Sequence, residues 1–319
     1  MIEEAPLYND LARGPEGGSA WWLKAADGVR IRLAVWSKAG SKGTVFLLPG
    51  RTEYIEKYGP AAGEFLARGY AMVAIDWRGQ GLADRLCADP VKGHVAEFGD
   101  YQRDFDAVLD AAARFCLPRP WFVLGHSMGG AIGLRRIMGT HPFTAAAFSA
   151  PMWEIGLPKL IQPIGPALAQ ILRNGPLSMI YPPGFSAQSY VLRAPFLDNK
   201  LTKDAGMWAF MLNHLHELPA ITLSGPSLQW VCEGILECED LDEHPSPDLP
   251  CYCAIGSNER IIETSAVFDR MHRWPKGRLE IFEGAEHELM MESEERRRRF
   301  YDGCVACFAG ASEHFHAIG

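Results

Sequence analysis

The pentapeptide Gly125-His126-Ser127-Met128-Gly129 restricts what this chain can fold into more than any other stretch. It follows a short apolar run, Trp121-Phe122-Val123-Leu124, and precedes helical spacing through Ala131, Ile132, Leu134, Ile137 and Met138. A serine at G-x-S-x-G spacing between a strand and a helix sits on a sharp turn in a strained backbone conformation. Strand and helix approach so closely there that only small residues fit two positions before and after the serine. The turn lifts the Ser127 hydroxyl clear of the sheet. It also puts the backbone N–H of Met128 at a helix N-terminus, where the dipole favours a developing oxyanion. Ser127 is therefore the expected nucleophile, with Met128 N–H as one oxyanion donor.

The surrounding chain supplies the sheet that such a turn needs. Residues 21–25 and 29–36, separated by Asp27-Gly28, read as a hairpin at a sheet edge. Residues 44–48 form an apolar strand that stops at Pro49-Gly50, and helical spacing follows through Tyr58, Ala61, Ala62, Phe65 and Leu66. Another buried strand, 70–75, ends in Asp76-Trp77-Arg78-Gly79-Gln80-Gly81. An amphipathic helix with Phe105, Val108, Leu109, Ala112 and Phe115 on one face leads to the serine strand, and 145–149 is the next strand. Strands alternating with helices imply an α/β fold, a mostly parallel central sheet with helices on both faces. Ligands then sit at the carboxyl ends of the strands, where Ser127 and the loops after residues 48 and 75 converge.

The rhythm breaks after Pro151. Residues 152–242 are rich in proline, aromatics and methionine and show no clear strand. They are expected to form an inserted helical cap, with residues 1–151 and 243–319 as the core domain. Aromatics of the insert, Trp153 and Trp208 among them, are candidates to line an acyl-binding site. His214 and His216 fall in the insert and would either line that pocket or face solvent. The α/β pattern returns with a strand at 249–255, a helix at 264–272, a strand at 278–282 and a closing helix over 292–308. The basic run Arg296–Arg299 reads as a solvated face balanced by Glu292, Glu294 and Glu295.

A serine hydroxyl needs a base, and the base needs a carboxylate to hold its tautomer and stabilise its cation. On a sheet of this kind the chain order is serine, acid, histidine. Glu259, in the turn Gly256-Ser257-Asn258-Glu259-Arg260 after a late strand, is the candidate acid. Glu263 lies past that turn and Asp248 before the strand. The plain alternative for Glu259 is a surface carboxylate paired with Arg260. His287, in Glu283-Gly284-Ala285-Glu286-His287-Glu288 after the last strand, is the candidate base. His126 is expected to point away from it and act as support. A second oxyanion donor is needed where residues 44–48 end, and the backbone N–H of Arg51 is the natural choice. Its side chain need not take part.

Bulk properties exclude several other classes. The 48% hydrophobic and 22% charged composition is that of an ordinary globular protein. A net charge of −8 argues against a nucleic-acid surface or a basic membrane-binding face. Residues 1–10 are acidic and lack the apolar stretch of a signal peptide, and no apolar run approaches the roughly 18 residues of a membrane span. A transmembrane segment is not expected, although peripheral membrane contact is compatible with the sequence. The eight cysteines accordingly read as reduced thiols in a cytoplasmic protein. Cys251 with Cys253, and Cys304 with Cys307, have spacings that invite a zinc site. Both pairs also fall where buried strand and helix positions are expected, so no metal is predicted.

With these residues in place, the chain resembles the α/β-hydrolases of the lysophospholipase and monoacylglycerol lipase group. The matching pieces are Pro49-Gly50-Arg51-Thr52-Glu53, the Asp76–Gly81 loop, Gly125–Gly130, Gly256–Arg260 and Glu283–His287, spread over almost the whole chain. Two departures stand out. The group usually begins its oxyanion loop with His-Gly, where this chain has Pro49-Gly50. It usually carries aspartate as the acid, where Glu259 is one methylene longer and calls for a slightly retracted backbone. The resemblance implies the α/β-hydrolase fold, no cofactor, and a long-chain acyl ester of a glycerol-type alcohol as substrate.

The expected function is a serine ester hydrolase of lipid metabolism. It would cleave a lysophospholipid or monoacylglycerol through a Ser127–His287–Glu259 triad and an acyl-enzyme. A small-ester carboxylesterase, a thioesterase, an acyltransferase or a peptidase would use the same triad. An aspartate-nucleophile enzyme is excluded by Ser127. A non-catalytic binding protein on this fold would be expected to lose one triad member, and all three have candidates.

Overall fold

Among the described residues nine strands make one sheet: β1 (Glu3–Ala5), β2 (Ser19–Lys24), β3 (Arg30–Trp36), β4 (Thr44–Leu48), β5 (Ala71–Asp76), β6 (Trp121–His126), β7 (Phe143–Ser149), β8 (Cys251–Gly256) and β9 (Gly277–Phe282). Their spatial order is β1-β2-β3-β5-β4-β6-β7-β8-β9. The structure, a computed structural model, describes residues 2–158 and 160–316. From β5 through β9 all pairings are parallel, and β1, β2 and β3 extend the sheet antiparallel. The hairpin β2–β3 is therefore not the edge: β1 pairs with β2 outside it. Only Ala5 of β1 is buried, so Glu3-Glu4-Ala5 carries no alternating apolar signal.

The central strands read as unbroken apolar runs because both of their faces are covered. All five residues of β4 are buried. Phe46 and Leu48 point into one core, with Val73, Ile75 and Val123, whereas Val45 and Leu47 point into the other, with Met72, Ala74, Phe122 and Leu124. Among the described residues there are ten α-helices: α1 (Asn9–Ala12), α2 (Gly59–Ala67), α3 (Asp100–Arg114), α4 (Met128–Met138), α5 (Gly165–Leu172), α6 (Tyr190–Arg193), α7 (Ala205–Glu217), α8 (Leu228–Glu243), α9 (Thr264–His272) and α10 (Glu294–His316). The first core takes Phe105 of α3, Ile132 of α4, Trp230 and Leu241 of α8 and Val267 of α9. The second takes Phe65 of α2, Trp208 and Met211 of α7, and Phe300, Tyr301 and Phe308 of α10. Burying one such aromatic fully stabilises the fold by about 1.5–3 kcal/mol.

Between β7 and β8 there is no strand among the described residues. The stretch is not uniformly peripheral, however. Helices α7 and α8 are seated in opposite cores, and Arg135 of α4 pairs with Glu237 and Asp240 of α8. Leu160, Ile164, Ile171 and Leu177, by contrast, expose their side chains. Cys251, Cys253 and Cys304 are buried and all eight cysteines are free thiols. Burial pushes the thiol of Cys307 up to about 11, which suits a packing role.

Candidate active site

Ser127 joins β6 to α4 with φ 50° and ψ −120°, a conformation that costs a non-glycine residue about 1–3 kcal/mol. The surrounding hydrogen bonds hold it there. Its N–H donates to Ser149 O at 3.1 Å, and its carbonyl accepts from Gly130 N at 2.8 Å and Met152 N at 2.9 Å. A Cβ on Gly129 would lie 2.0 Å from the Leu48 carbonyl, so the start of α4 abuts the end of β4. Met128, fully buried, is the first residue of α4, which aims its N–H out of the helix end.

Glu259 and His287 are brought together by two turns stitched to each other. Ser257 N donates to Phe282 O at 3.0 Å, Asn258 N to Ala285 O at 3.0 Å, and Gly284 N to Ser257 Oγ at 2.8 Å. His287 Nδ1 then lies 2.6 Å from Glu259 Oε2, with both side chains almost fully buried. The other carboxylate oxygen accepts from Ile261 N at 2.6 Å and Ile262 N at 3.2 Å, which fixes the longer glutamate arm. Burial alone would raise the Glu259 carboxyl, but His287 and these two N–H groups outweigh it and hold it below the usual range. Burial alone would depress His287, but Glu259 first, and then Glu288 and Glu53, raise it above an ordinary histidine.

Arg260 does not take Glu259. It pairs with Asp198 at 2.8 Å and Glu286 at 3.2 Å instead. Glu263 is spent capping α9 through Ser265 N, and Asp248 is an exposed partner of Lys276.

The loop after β4 lies against the serine. A Cβ on Gly50 would sit 2.9 Å from Ser127 Cβ. Three side chains hold this loop. Trp77 Nε1 donates to Pro49 O at 3.0 Å, Gln80 Nε2 to Gly50 O at 2.9 Å, and the Glu53 carboxylate accepts from Gly50 N. Arg51 follows directly, so its N–H belongs to the loop that faces Ser127. With the usual histidine replaced by Pro49, the curvature comes from these side chains.

Beneath the loop is a buried charge network that the sequence reading missed. Lys57 Nζ lies 2.6 Å from Glu53 Oε1 and 2.5 Å from Glu288 Oε2, and Tyr58 donates to Glu53. His126 Nδ1 donates to Ser149 O at 3.0 Å, while its Nε2 lies 3.5 Å from Glu53 Oε1. Its ring does not point away from the base: the centroids of His126 and His287 are 4.9 Å apart. That contact brings the imidazole of His287 beside the residue preceding Ser127. Burial pushes His126 down to about 4, so it packs as a neutral ring. Glu53 resists its own burial because Lys57 and His126 hold it down to about 2. Glu53, His126 and Glu288 lie close enough together to hold a cation. The Lys57 ammonium already bridges the two carboxylates, so this donor set is satisfied without a metal.

The remaining sequence candidates are placed as follows. Trp153 packs on Phe148 and Trp274 and donates from Nε1 to Gly130 O, and Trp208 packs between Tyr190 and Phe196. His214 is buried, with Nε2 donating to Leu11 O at 2.6 Å, and His216 is exposed. The Arg51 side chain, which need not take part in the oxyanion hole, reaches the insert and donates to Ser224 O at 2.7 Å. A charged residue directly after the Pro-Gly stop of an apolar strand was the available signal for it.

Sheet order, elbow and paired turns define an α/β-hydrolase. A family model described as serine aminopeptidase, S33, matches residues 39–294, and the chain belongs to that family. It is 30% identical over 285 residues to lysophospholipase L2 of Escherichia coli strain K12, covering 85% of this chain and 82% of that one. A probable lysophospholipase L2 of Haemophilus influenzae is 27% identical over 80% of both chains. Among solved structures, a soluble variant of monoglyceride lipase from Saccharomyces cerevisiae superposes with a TM-score of 0.68 at 20% identity, covering 91% of this chain and 94% of that one. The chain is thus a serine-family hydrolase of the lysophospholipase and monoacylglycerol lipase group, among the carboxylic ester hydrolases. No helix among the described residues is long and apolar enough to cross a membrane.

Proposed function

We propose that this enzyme hydrolyses a single-chain acyl ester, a lysophospholipid or monoacylglycerol, through Ser127, His287 and Glu259. The observation that carries the reading is the buried 2.6 Å pair of His287 Nδ1 and Glu259 Oε2 beside the strained serine turn. Ser127 Oγ attacks the ester carbonyl carbon while His287 Nε2 takes its proton. The N–H groups of Arg51 and Met128 receive the oxyanion. Collapse of the tetrahedral species expels the glycerol-type alcohol, which leaves with the proton from His287. Water, deprotonated by the same imidazole, then releases the fatty acid from the acyl-enzyme. No cofactor enters these steps.

The lipid character of the substrate is supported by the relatives and by the insert. Residues 152–242 are read as a cap on the core of 1–151 and 243–319, because Lys200 O and Leu201 O accept from His287 N and Glu288 N. Exposed Leu160, Ile164, Ile171 and Leu177 suit transient contact with a lipid surface. Eight free thiols suit a reducing, cytoplasmic setting.

The deep burial of Trp153, Trp208 and Trp230 favours one rival, a small-ester carboxylesterase, because rings committed to packing do not line an acyl channel. Ester series from C2 to C12, below the micelle concentration, decide between the two. Each methylene buried in an apolar channel is worth about 0.8 kcal/mol, so kcat/KM should climb roughly three- to fourfold per carbon. A maximum at C2–C4 would discard the lipid reading. Labelling by a fluorophosphonate probe, lost in Ser127→Ala, tests the nucleophile itself.

A further inference from the structure

Arg51, half-buried, differs from Arg32 and Arg78 in its partners. Arg32 is held by Glu56 and Asp76, and Arg78 by Asp27 and Asp104. Arg51 has no carboxylate within 4.0 Å among the described residues. Its Nη1 donates to Ser224 O at 2.7 Å, and its Cζ lies 5.4 Å from the centre of the Trp230 ring. Nε and Nη2 find no acceptor among the described residues, while the residue keeps part of its surface accessible. Glu53, two positions on, is engaged by Gly50, Lys57 and Tyr58. Burial pushes the guanidinium down to about 10, which leaves it charged at neutral pH. A half-buried guanidinium with unfilled donors and no acidic partner offers those donors to an anion arriving from solvent.

The position of this cation relative to the reacting centre is what gives it meaning. Arg51 follows Gly50, which abuts Ser127, so the guanidinium hangs from the loop that faces the nucleophile. Five bonds separate its Cα from Cζ, a reach of about 6 Å. In a lysophospholipid six bonds separate the scissile carbonyl carbon from phosphorus, about 7 Å when extended. A side chain of this length rooted next to Gly50 is within range of a phosphodiester that far from the ester. A guanidinium with free donors on one side is also suited to bidentate recognition of phosphate.

We infer that the Arg51 side chain is the head-group subsite of this enzyme, binding the phosphodiester of a lysophospholipid while the acyl ester lies at Ser127. This rests on the acyl-ester reading above and extends it to the alcohol half of the substrate. A monoacylglycerol, lacking the anion, leaves the subsite unfilled. Ser224 O and the Trp230 ring hold the side chain in place.

Two measurements on the full-length protein test this. The first is the ratio of kcat/KM for 1-lauroyl lysophosphatidylethanolamine to that for 1-lauroylglycerol, both as monomers. Arg51→Met should lower this ratio ten- to hundredfold, as the loss of a charge-assisted hydrogen bond predicts, and Arg51→Lys should restore part of it. Damage to the cap or the oxyanion loop affects both esters and divides out, so an unchanged ratio in both variants overturns the inference. The second is inhibition of p-nitrophenyl butyrate hydrolysis by sn-glycero-3-phosphoethanolamine, glycerol or inorganic phosphate. Competitive inhibition by the phosphodiester, absent with glycerol and lost in Arg51→Met, supports the subsite. Inhibition by inorganic phosphate alone would mark a free-anion site and overturn it. This second arm reads Arg51 even if the wild type cleaves only short esters, which would sink the lipid reading separately.

Discussion

One oxygen of the Glu53 carboxylate accepts both the N–H of Gly50 and the hydroxyl of Tyr58. The other oxygen faces Lys57 at 2.6 Å. A buried anion thus sets the curvature of the loop that carries the proposed Arg51 donor. Glu53→Gln keeps the shape but removes the charge, leaving Lys57 with Glu288 alone. It should cost about 3 kcal/mol of stability, the low end for breaking a buried pair. It should also lower kcat more than tenfold with little change in KM, as expected when a transition-state donor is displaced. Urea unfolding and steady-state kinetics check both; an unchanged kcat would limit Glu53 to stability.

Ser127→Ala should abolish turnover and leave the fold intact. A fall of less than roughly a hundredfold would exclude Ser127 as nucleophile, given what loss of a triad member costs. Ser127→Gly adds a structural test. At φ 50° and ψ −120° glycine relieves strain, so this inactive variant should be more stable than Ser127→Ala by about 1 kcal/mol.

The acid limb of the pH–rate profile should lie above the pKa of an ordinary histidine. His287 must be neutral to accept the serine proton, and the carboxylates of Glu259, Glu288 and Glu53 raise its pKa against the opposing effect of burial. Activity is therefore lost as pH falls through that raised value. Glu259→Gln should move the limb to lower pH and reduce the plateau, though less than His287→Ala, since the oxyanion donors remain. If Glu259→Gln were silent while Glu263→Gln or Asp248→Asn were not, the acid would be misassigned.

Stability should decline on the acid side earlier than carboxylate protonation alone dictates. Burial depresses His126 to about 4 in the folded state, against an unfolded value near 6.5. Between these values the unfolded chain binds more protons, so the contribution is complete above about pH 6.5 and is lost as pH falls towards 4. It is worth on the order of 3 kcal/mol. His214, also pushed to about 4 by burial, acts in the same direction. Urea midpoints at pH 7.5 and 5.0 should differ in the wild type and differ less in His126→Gln. Equal differences in the two proteins would remove His126 from the account.

What could be read in advance followed from sterics and order along the chain. Ser127 needs small neighbours at fixed spacing, and the turn bearing Glu259 follows a strand that announces itself as an apolar run, whereas the strand before His287 buries only Phe282. The charge network could not be read the same way. Glu53 and Lys57 are spaced like any solvated i,i+4 pair, and only the fold shows Glu288 closing on the same ammonium. The orientation of His126 was misread because its place beside Ser127 in the chain does not say that His287, arriving from the turn after β9, comes to lie against its ring. Strand β1 was invisible because it buries a single alanine. The split behaviour of the insert was hidden too, since α7 and α8 bury their aromatics in the main cores.

That split has a consequence for local opening. The insert is pinned on both faces of the sheet, by Trp208 and Met211 of α7 on one and Trp230 and Leu241 of α8 on the other. Unseating either helix requires exposing a piece of the main core and so approaches the cost of global unfolding. Residues 160–186 expose Leu160, Ile164, Ile171 and Leu177 and are tied to α8 by polar contacts such as Arg173–Glu233 and Asn174 N to Gln229 Oε1, which cost less to open than core aromatics. Amide hydrogens there should exchange orders of magnitude faster than those of α8, a few dozen residues further along the same insert. The fold thus concentrates its breathing in one arc of the insert and keeps α7 and α8 as rigid as the sheet.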